Sequence, residues 1–290
     1  MTAPTVLKPT QRDRRNKDRG PAAVAIPILM WGYALIVLAP LALVVINSMR
    51  PTREIFRDAI GLPTSINIDS YITAWNEASF GRYFVNSLGI TVASVVLATG
   101  TAVLAAYVLG RYKFRGSSLL GVFFLSGLLL PFRLAILPLF ILLQSLGLVD
   151  TRLGLILVYA ATGVPFSVFI LSAFFRQLPA ELTEAARIDG ANEFTIFGRV
   201  MLPLVRPGLA TVAVFQFVPL WNDFFFPLVL LRSTDKWTLP VGMTRFFGEF
   251  QTDWSTLFAG IVIITLPLVI LFLIATKQII AGLTAGIGKM

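Results

Sequence analysis

The chain has 290 residues, of which 56% are hydrophobic and only 13% are charged, and its mean hydropathy is +0.81. Because a soluble domain carries about 25% charged residues, this composition indicates an integral membrane protein. Histidine and cysteine are both absent, which excludes zinc sites built on those residues, disulfides, Ser-His-Asp triads and thiol nucleophiles. We therefore expect no metal site and favour a protein without catalytic activity of its own.

Six stretches are apolar and long enough to cross a bilayer, which takes about 20 residues. The first is about twice as long as the apolar part of a signal peptide, so it is interpreted as a retained helix. The third contains Pro131 and Pro138, which can break or kink a helix, and we expect an irregular or peripheral piece after it. In chain order the predicted spans are 24–46, 83–110, 119–142, 153–175, 209–231 and 255–276.

The net charge of +9 fits either nucleic acid or an anionic membrane surface as a partner. With six spans, the segments on the side of the amino terminus carry 15 basic and 6 acidic residues, whereas the opposite segments carry 8 of each. The whole excess lies on one side, which the positive-inside rule identifies as the cytoplasm, and anionic membrane lipid accounts for it without nucleic acid. The predicted fold class is an all-α integral membrane protein with six transmembrane helices and both termini cytoplasmic.

The cytoplasmic segment 176–207, called the polar loop below, has the pattern of two short amphipathic helices. Pro179 and Glu181 suit the first turn of a helix, and Gly190 can adopt the positive φ that ends one. Asn192 is a good N-cap for a second helix. We therefore predict two helices with a bend between them.

The second of these helices is expected to present Phe194, Phe197 and Val200 or Met201 as one apolar face. Such a pair of helices can lie on the membrane surface, or it can seat in another protein. Small residues such as Ala185 would allow a close approach in the second case. Periodicity alone leaves both alternatives open.

Two charged residues, Arg133 and Asp223, fall inside predicted spans. A charge at the bilayer centre costs about 2.5 to 3.5 kcal/mol on insertion scales, so Asp223 is expected to face the bundle interior or a watery cavity. Three roles remain open for Asp223: a structural clamp between helices, a substrate contact, or a residue near the outer interface. Arg133 is its candidate partner, because the two charges are opposite. The neighbouring Trp221 and Asn222 have the aromatic face and the amide that bind sugars.

A motif of small and acidic residues with fixed spacing occupies the polar loop. It consists of Glu184, Ala185, Ala186, Asp189, Gly190 and Ala191, followed by Phe197, Leu202, Pro203 and Pro207. This motif resembles the EAA loop of permease subunits from bacterial ABC importers. The resemblance implies the type I importer permease fold, and it implies that the six residues from Glu184 to Ala191 couple the chain to a cytoplasmic ATPase.

Three further segments have a characteristic composition. They are Trp221-Asn222-Asp223, Trp237-Thr238-Leu239-Pro240 and Gly282-Leu-Thr-Ala-Gly286-Ile-Gly-Lys289. They resemble the carbohydrate (maltose-type, MalG-like) branch of the same family. Arg133 departs from that branch, in which an uncharged polar residue is expected at this position. The resemblance implies that an outer loop containing Thr238, Leu239 and Pro240 faces a binding protein. It also implies that Gly282, Gly286 and Lys289 form a second ATPase contact.

The resemblance further implies a subunit that forms half of the translocation pathway of a sugar importer in a bacterial inner membrane. Its partners would be a second homologous permease, two cytoplasmic ATPase subunits and an extracytoplasmic solute-binding protein. ATP and Mg would belong to the ATPase, and this chain would bind no cofactor. The expected organisation is a basic tail at 1–22, a first helix and outer loop at 23–82, a permease core at 83–276 and a cytoplasmic tail at 277–290.

Other classes of function remain as alternatives. An ion-coupled secondary carrier usually has inverted repeats and several ionisable groups in the membrane, whereas this sequence has two such groups and no repeat. An integral membrane enzyme would need converging carboxylates, which no loop offers. The glycine-rich tail lacks the spacing of a phosphate-binding loop, so ATP hydrolysis by this chain is not expected. A permease for another solute, such as spermidine or phosphate, is the alternative within the ABC family.

Overall fold

The computed structural model describes residues 21–64, 66–77, 79–246 and 253–287, with the backbone alone at 21–24, 77 and 277–287. These described residues form helices and helical turns without any strand. Most of the predicted basic tail, together with Lys289, lies outside them.

The helices are numbered in chain order. They are α1 (Pro21–Asn47), α2 (Thr52–Arg57), α3 (Asp69–Ile72), α4 (Phe80–Arg111), α5 (Ser117–Leu129), α6 (Ile136–Ser145), α7 (Arg152–Gln177), α8 (Glu181–Ile188), α9 (Glu193–Thr195), α10 (Leu202–Leu204), α11 (Arg206–Trp221), α12 (Phe225–Leu230), α13 (Leu239–Gly242) and α14 (Trp254–Ile287). Turns of π-helix occupy Thr73–Glu77 and Ile196–Met201, and 3₁₀ turns occupy Phe132–Ala135, Thr234–Lys236 and Met243–Phe246.

Four of these helices are long and apolar enough to cross a membrane unbroken, namely α1 over Ala25–Asn47, α4, α7, and α14 over Trp254–Thr276. Two bent pairs of helices pass the same test together, so the described residues hold six spans when each bent pair is one span. In the second pair α11 is bent by 68° from Glu193–Leu204, which belongs to the polar loop. Length and composition thus agree with the predicted all-α membrane fold of six spans.

The third span, predicted as one helix over 119–142, is broken in the structure. α5 ends at Leu129, and the helical segment after the break runs at 82° to it. Pro131 lies at the break and has no amide hydrogen to continue the helical ladder. Leu130 before it is extended, as a residue preceding proline prefers. Pro138, by contrast, lies within α6 without interrupting it.

The fifth predicted span, 209–231, is also interrupted. α11 begins earlier, at Arg206, and ends at Trp221 before the short α12. Asp223 lies in the gap between the two helices, where its carboxylate accepts a hydrogen bond from the backbone N–H of Phe226 at 3.2 Å. A side chain that binds the backbone in this way competes with the helical hydrogen bonds, which explains the break.

The contact between α4 and α7 forms the centre of the bundle. Ala98, Ala102 and Ala106 follow one another at four-residue intervals on one face of α4 and are fully buried. Gly110 continues that face, and a Cβ placed there would lie 2.7 Å from the Cβ of Phe175 on α7. Small residues therefore hold the two helices close together, and the polar loop is attached to their cytoplasmic ends.

Candidate functional site

Arg111, the last residue of α4, fixes the start of the polar loop. Its guanidinium donates to the carbonyl oxygens of Leu178 and Pro179 at 2.6 and 3.1 Å, and to the hydroxyl of Thr183 at 2.7 Å. The first two acceptors precede α8, and Thr183 lies in its first turn. Because hydrogen bonds from a charged donor are the stronger kind, α8 and α4 are held as one unit.

A second set of contacts joins the far end of α8 to α4. Arg187 forms an ion pair with Glu193 at 2.7 Å across the bend of the polar loop. Glu193 also accepts hydrogen bonds from the hydroxyl groups of Tyr112 and Tyr107. Hydrogen bonds from Tyr112 and Arg187 hold the pKa of the Glu193 carboxyl below its ordinary value, so this carboxylate is ionised at neutral pH.

The bend has the local structure that the sequence predicts. Gly190 has a φ of +81° and follows the end of α8, a conformation that costs other residues about 1–2 kcal/mol. The side chain of Asn192 accepts a hydrogen bond from the backbone N–H of Thr195 at 2.9 Å, as an N-cap does. Pro179 differs from the prediction, because α8 begins only at Glu181 and the proline precedes it.

The six residues of the predicted coupling motif lie together on α8 and the bend, in two environments. Ala186 and Ala191 are half-buried and pack against the protein core. The exposed residues are Glu184, Ala185, Asp189 and Gly190. This exposed face combines small side chains, which permit close approach, with two acidic groups.

Two large apolar side chains beside this face, Ile188 and Phe194, are 86% and 89% exposed. The prediction that Phe194 shares an apolar face with Phe197 and Val200 or Met201 is wrong. Phe197 and Val200 are half-buried and Met201 is fully buried, whereas Phe194 is exposed. The π-helical turn Ile196–Met201 widens the helix there and changes which residues share a face. The exposed side chains of Ile188 and Phe194 are therefore free to be buried by a partner.

Arg133, which follows the break between α5 and α6, lies close to Asp223 in the gap between α11 and α12. Their side chains are 3.7 Å apart, with that of Asp223 only 7% exposed and that of Arg133 74% exposed, which confirms the predicted pairing of the two charges. Asp223 also accepts a hydrogen bond from the hydroxyl of Tyr159 at 2.8 Å. Because Tyr159 lies on α7, the carboxylate joins α7 to the segment after α11.

Tyr159 also lines a cavity of about 360 Å³ between α7 and α11. The other lining residues are Thr162, Gly163, Phe166, Phe215, Gln216, Pro219 and Leu220. The amide nitrogen of Gln216 donates to the hydroxyl of Ser167, whereas its buried carbonyl oxygen has no hydrogen-bond partner among the described residues. Aromatic faces beside a few polar groups are typical of a ligand pocket. Sequence reasoning missed this site because its residues come from two helices far apart in the chain.

Trp221 and Asn222 have different environments. Trp221 is fully buried, its indole N–H donates to the carbonyl oxygen of Ile264 at 2.9 Å, and its ring stacks on Phe217 with centroids 5.5 Å apart. Its ring is therefore used to pack α11 against α14 and is not exposed to a ligand. Asn222 is exposed, and its amide donates to the carbonyl oxygen of Val218 at 2.9 Å.

The outer segment 238–240 requires a correction. Thr238 and Leu239 are buried, and the backbone N–H of Leu239 donates to the hydroxyl of Ser87 at 2.8 Å. Pro240 is half-buried. These side chains anchor the outer loop to α4 instead of facing outward. Within the described part of this loop the exposed residues are Arg232, Thr234, Asp235, Thr244, Arg245 and Asp253.

Gly282 and Gly286 lie in α14, which continues to Ile287. Their helical backbone differs from the loop that would cradle a phosphate. Lys289, the third residue of the predicted second ATPase contact, is outside the described residues. Within the described ranges, no group of three or more Asp or Glu side chains is placed to hold a metal ion.

Residues 98–284 match the family of the "Binding-protein-dependent transport system inner membrane component". The chain is 39% identical over 277 residues to the diacetylchitobiose uptake system permease protein NgcG of Streptomyces coelicolor, covering 95% of this chain and 91% of that protein. It is 38% identical over 271 residues to the arabinooligosaccharides transport system permease protein AraQ of Halalkalibacterium halodurans, covering 90% of this chain and 96% of that protein. It is 35% identical over 263 residues to the trehalose transport system permease protein SugB of Mycobacterium tuberculosis, covering 90% of this chain and 94% of that protein.

The fold is also similar to a solved structure, that of a bacterial ABC transporter involved in the import of the acidic polysaccharide alginate. The TM-score is 0.79 at 24% identity, and the match covers 94% of this chain and 99% of that chain. This likeness confirms the importer permease fold. Together the matches favour a permease over the alternatives of an ion-coupled carrier or a membrane enzyme.

Proposed function

Because the chain belongs to the family of binding-protein-dependent transport system inner membrane components, we propose that it is one permease subunit of an ATP-driven sugar importer in a bacterial inner membrane. Its spans form half of the translocation pathway, and a second, homologous permease forms the other half. Two cytoplasmic ATPase subunits bind ATP and Mg, and an extracytoplasmic binding protein delivers the sugar. The chain itself holds no cofactor and performs no chemical step.

The observation that carries this proposal is the firm attachment of the polar loop to α4. Arg111 holds the start of α8 through three hydrogen bonds, and Glu193 holds the bend after it. A movement that an ATPase imposes on α8 is therefore passed to a membrane-spanning helix. A loop without these contacts would absorb the displacement.

The exposed face of the polar loop has the chemistry of a docking surface. Glu184 and Asp189 give a partner two carboxylates for orientation, and Ile188 and Phe194 give it apolar side chains to bury. The exposed backbone at Gly190 permits close approach. These groups support the seating of α8 and the bend in the ATPase.

Two observations support a carbohydrate as the transported solute. The similar permeases named above belong to uptake systems for diacetylchitobiose, arabinooligosaccharides and trehalose. The cavity beside Tyr159 offers the aromatic rings of Phe166 and Phe215 and the unpaired amide oxygen of Gln216, and its described lining has no charged side chain. An ion or a charged solute such as spermidine or phosphate would favour charged groups there.

Transport by the purified assembly tests the coupling role. The chain is reconstituted in proteoliposomes with its second permease, ATPase and binding protein, and ATP-dependent uptake of a labelled oligosaccharide is measured. Glu184→Lys and Gly190→Pro are expected to abolish uptake while the protein still inserts. Arg199→Gln, which changes another exposed charge in the same loop, is the matched control and should keep uptake. Wild-type uptake in either of the first two variants, or transport by the chain alone without ATP, would disprove the proposal.

The sugar pathway is tested separately with two cavity variants. Phe166→Ala and Gln216→Leu should raise the KM for the sugar several-fold, because they remove a ring face and the free amide oxygen. Phe123→Ala, which truncates an exposed ring on α5, should leave the KM unchanged. An unaltered KM in both cavity variants would show that the sugar path lies elsewhere, without affecting the coupling proposal.

A further inference from the structure

A second cavity, of about 550 Å³, lies at the cytoplasmic ends of α4, α5 and α7, and no step of the proposed transport uses it. Three cationic side chains line it, those of Arg111, Lys113 and Arg176. The described lining contains no carboxylate. The cavity therefore presents a concentrated positive potential at the membrane boundary.

Two of the three cations are available to a ligand. Arg111 is engaged by the polar loop, but Lys113 and Arg176 are exposed, and neither is within ion-pair distance of a carboxylate among the described residues. Ser117 and Ser118 open α5 at the same place, where the helix amino end carries partial positive charge. These groups together suit an ester phosphate.

A buried hydroxyl in the lining also points to an occupant. Ser172 is 2% exposed, and its Oγ has no hydrogen-bond partner among the described residues. A buried polar atom left unpaired is costly, and Ser172 lines the cavity. A ligand with acceptor oxygens would satisfy it.

Much of the remaining lining is apolar and partly exposed. Leu125 and Phe169 line the cavity and are 46% and 49% exposed, and Phe124 and Val122 lie beside them. A soluble anion would use only the basic rim and leave this wall uncovered. A phospholipid would use both parts, with its phosphate on the rim and an acyl chain along the wall.

We propose that this cavity binds an anionic phospholipid of the cytoplasmic leaflet, with its headgroup at Lys113, Arg176 and the start of α5. Basic pockets between membrane helices on the cytoplasmic side suit such headgroups. The site also involves Arg111 and Tyr112, and both hold the polar loop. An occupied site stabilises the joint between that loop and α4. The inference does not depend on which solute is transported.

Photolabelling of the full chain in nanodiscs tests the site. The nanodiscs contain phosphatidylcholine and a trace of phosphatidylglycerol with a photoreactive group in one acyl chain, and labelled peptides are identified by mass spectrometry. We expect labelling within 117–125 and 168–176, and unlabelled phosphatidylglycerol should compete whereas extra phosphatidylcholine should not. Displacement by inorganic phosphate would identify a free-anion site instead, and loss of labelling on adding the second permease would identify a subunit interface. Either result would overturn the proposal.

Matched variants separate a bound lipid from general surface charge. The double change Lys113→Gln with Arg176→Gln should reduce labelling roughly tenfold, whereas Arg115→Gln, in the same loop but outside the lining, should not. Equal losses in both would leave only non-specific attraction and would contradict the site.

A steric variant keeps the basic rim intact. A Cβ at Gly121 meets nothing within 4 Å, so Gly121→Phe is expected to fold and to fill the cavity with its ring. Labelling should then be lost, whereas Gly89→Phe, at an equally open position on α4, should keep it. Full labelling in Gly121→Phe would overturn the proposal even if the double variant did not insert.

Discussion

Arg187 and Glu193 lie on opposite sides of the bend in the polar loop and are joined by an ion pair of 2.7 Å. Arg187 is in the last turn of α8 and Glu193 opens α9, positions at which a cation and an anion also suit the helix ends. Tyr112 donates to the same carboxylate from the end of α4. The bend is therefore a fixed corner rather than a hinge.

Removing this pair should uncouple ATP hydrolysis from transport. In Arg187→Gln the corner loses its ion pair, so ATPase movements are transmitted incompletely, and sugar moved per ATP hydrolysed should fall several-fold. Both side chains are about half exposed, at 47% and 51%, so the melting temperature should change little. The ratio of sugar transported to ATP hydrolysed is measured in proteoliposomes, with Arg199→Gln as control. An unchanged ratio in Arg187→Gln would argue against a fixed corner.

Two glycines in the polar loop should respond to alanine with opposite signs. Gly190 has a φ of +81° and open space around its Cα, so Gly190→Ala introduces strain without a clash and should destabilise by about 1–2 kcal/mol. Gly198 lies in a helical turn without positive φ and is equally open, so Gly198→Ala should stabilise by up to about 1 kcal/mol. Thermal unfolding of the detergent-solubilised variants distinguishes the two, and equal shifts would contradict the backbone argument.

The parts of the molecule that sequence predicts well are those governed by local chemistry. The positive φ of Gly190 and the cap at Asn192 depend only on neighbouring backbone, and both follow from residue type. The predicted spans likewise depend on composition over a single stretch. Pro131 likewise indicated that the third span could be broken or kinked, but not that the two helical segments lie at 82° to each other.

The parts that sequence misses depend on how separate helices pack. The hydrogen bond from Tyr159 to Asp223 joins residues on different helices, and no spacing in the chain marks it. The burial of Trp221 and Leu239 has the same origin, because each is covered by a helix distant in sequence. Residue type suggested a sugar contact at Trp221 and the family resemblance suggested a surface facing a binding protein at Leu239, whereas packing assigns both side chains to the interior.

The clamp around Asp223 yields a charge-swap prediction. Arg133→Asp and Asp223→Arg should each reduce transport, because each leaves two like charges 3.7 Å apart at the present spacing. The double swap should recover part of the activity, although Tyr159 would then face a cation. Uptake assays measure the effect of the charge swaps. No recovery of uptake in the double swap would indicate that the charges of Arg133 and Asp223 act independently.

Tyr159→Phe should destabilise the protein by roughly 1–3 kcal/mol, because it leaves a buried carboxylate oxygen with one donor fewer. Thermal unfolding measures the effect of Tyr159→Phe.

Asp150 provides a pH-dependent anchor on the outer side of the membrane. Its carboxylate accepts hydrogen bonds from the backbone N–H groups of Arg232 and Ser233, each at 2.9 Å, and from the ammonium of Lys236 at 2.9 Å. Hydrogen bonds from the Ser233 hydroxyl and backbone, with that from Lys236, hold the pKa of Asp150 well below its ordinary value. The loop before α7 is thereby tied to the loop after α12.

A carboxyl group whose pKa is lower in the folded than in the unfolded chain stabilises the fold above the unfolded pKa, here about 3.9. That contribution is lost as pH falls further, through the folded pKa. Asp150→Asn should therefore melt below the wild type at pH 7, and the difference should shrink as pH is lowered below about 4. Asparagine also tolerates the φ of +57° at this position, so backbone strain does not confuse the comparison. Asp235→Asn, which changes an exposed carboxylate in the loop after α12, should show no such trend, and a melting difference at Asp150 that stayed constant with pH would refute the anchor.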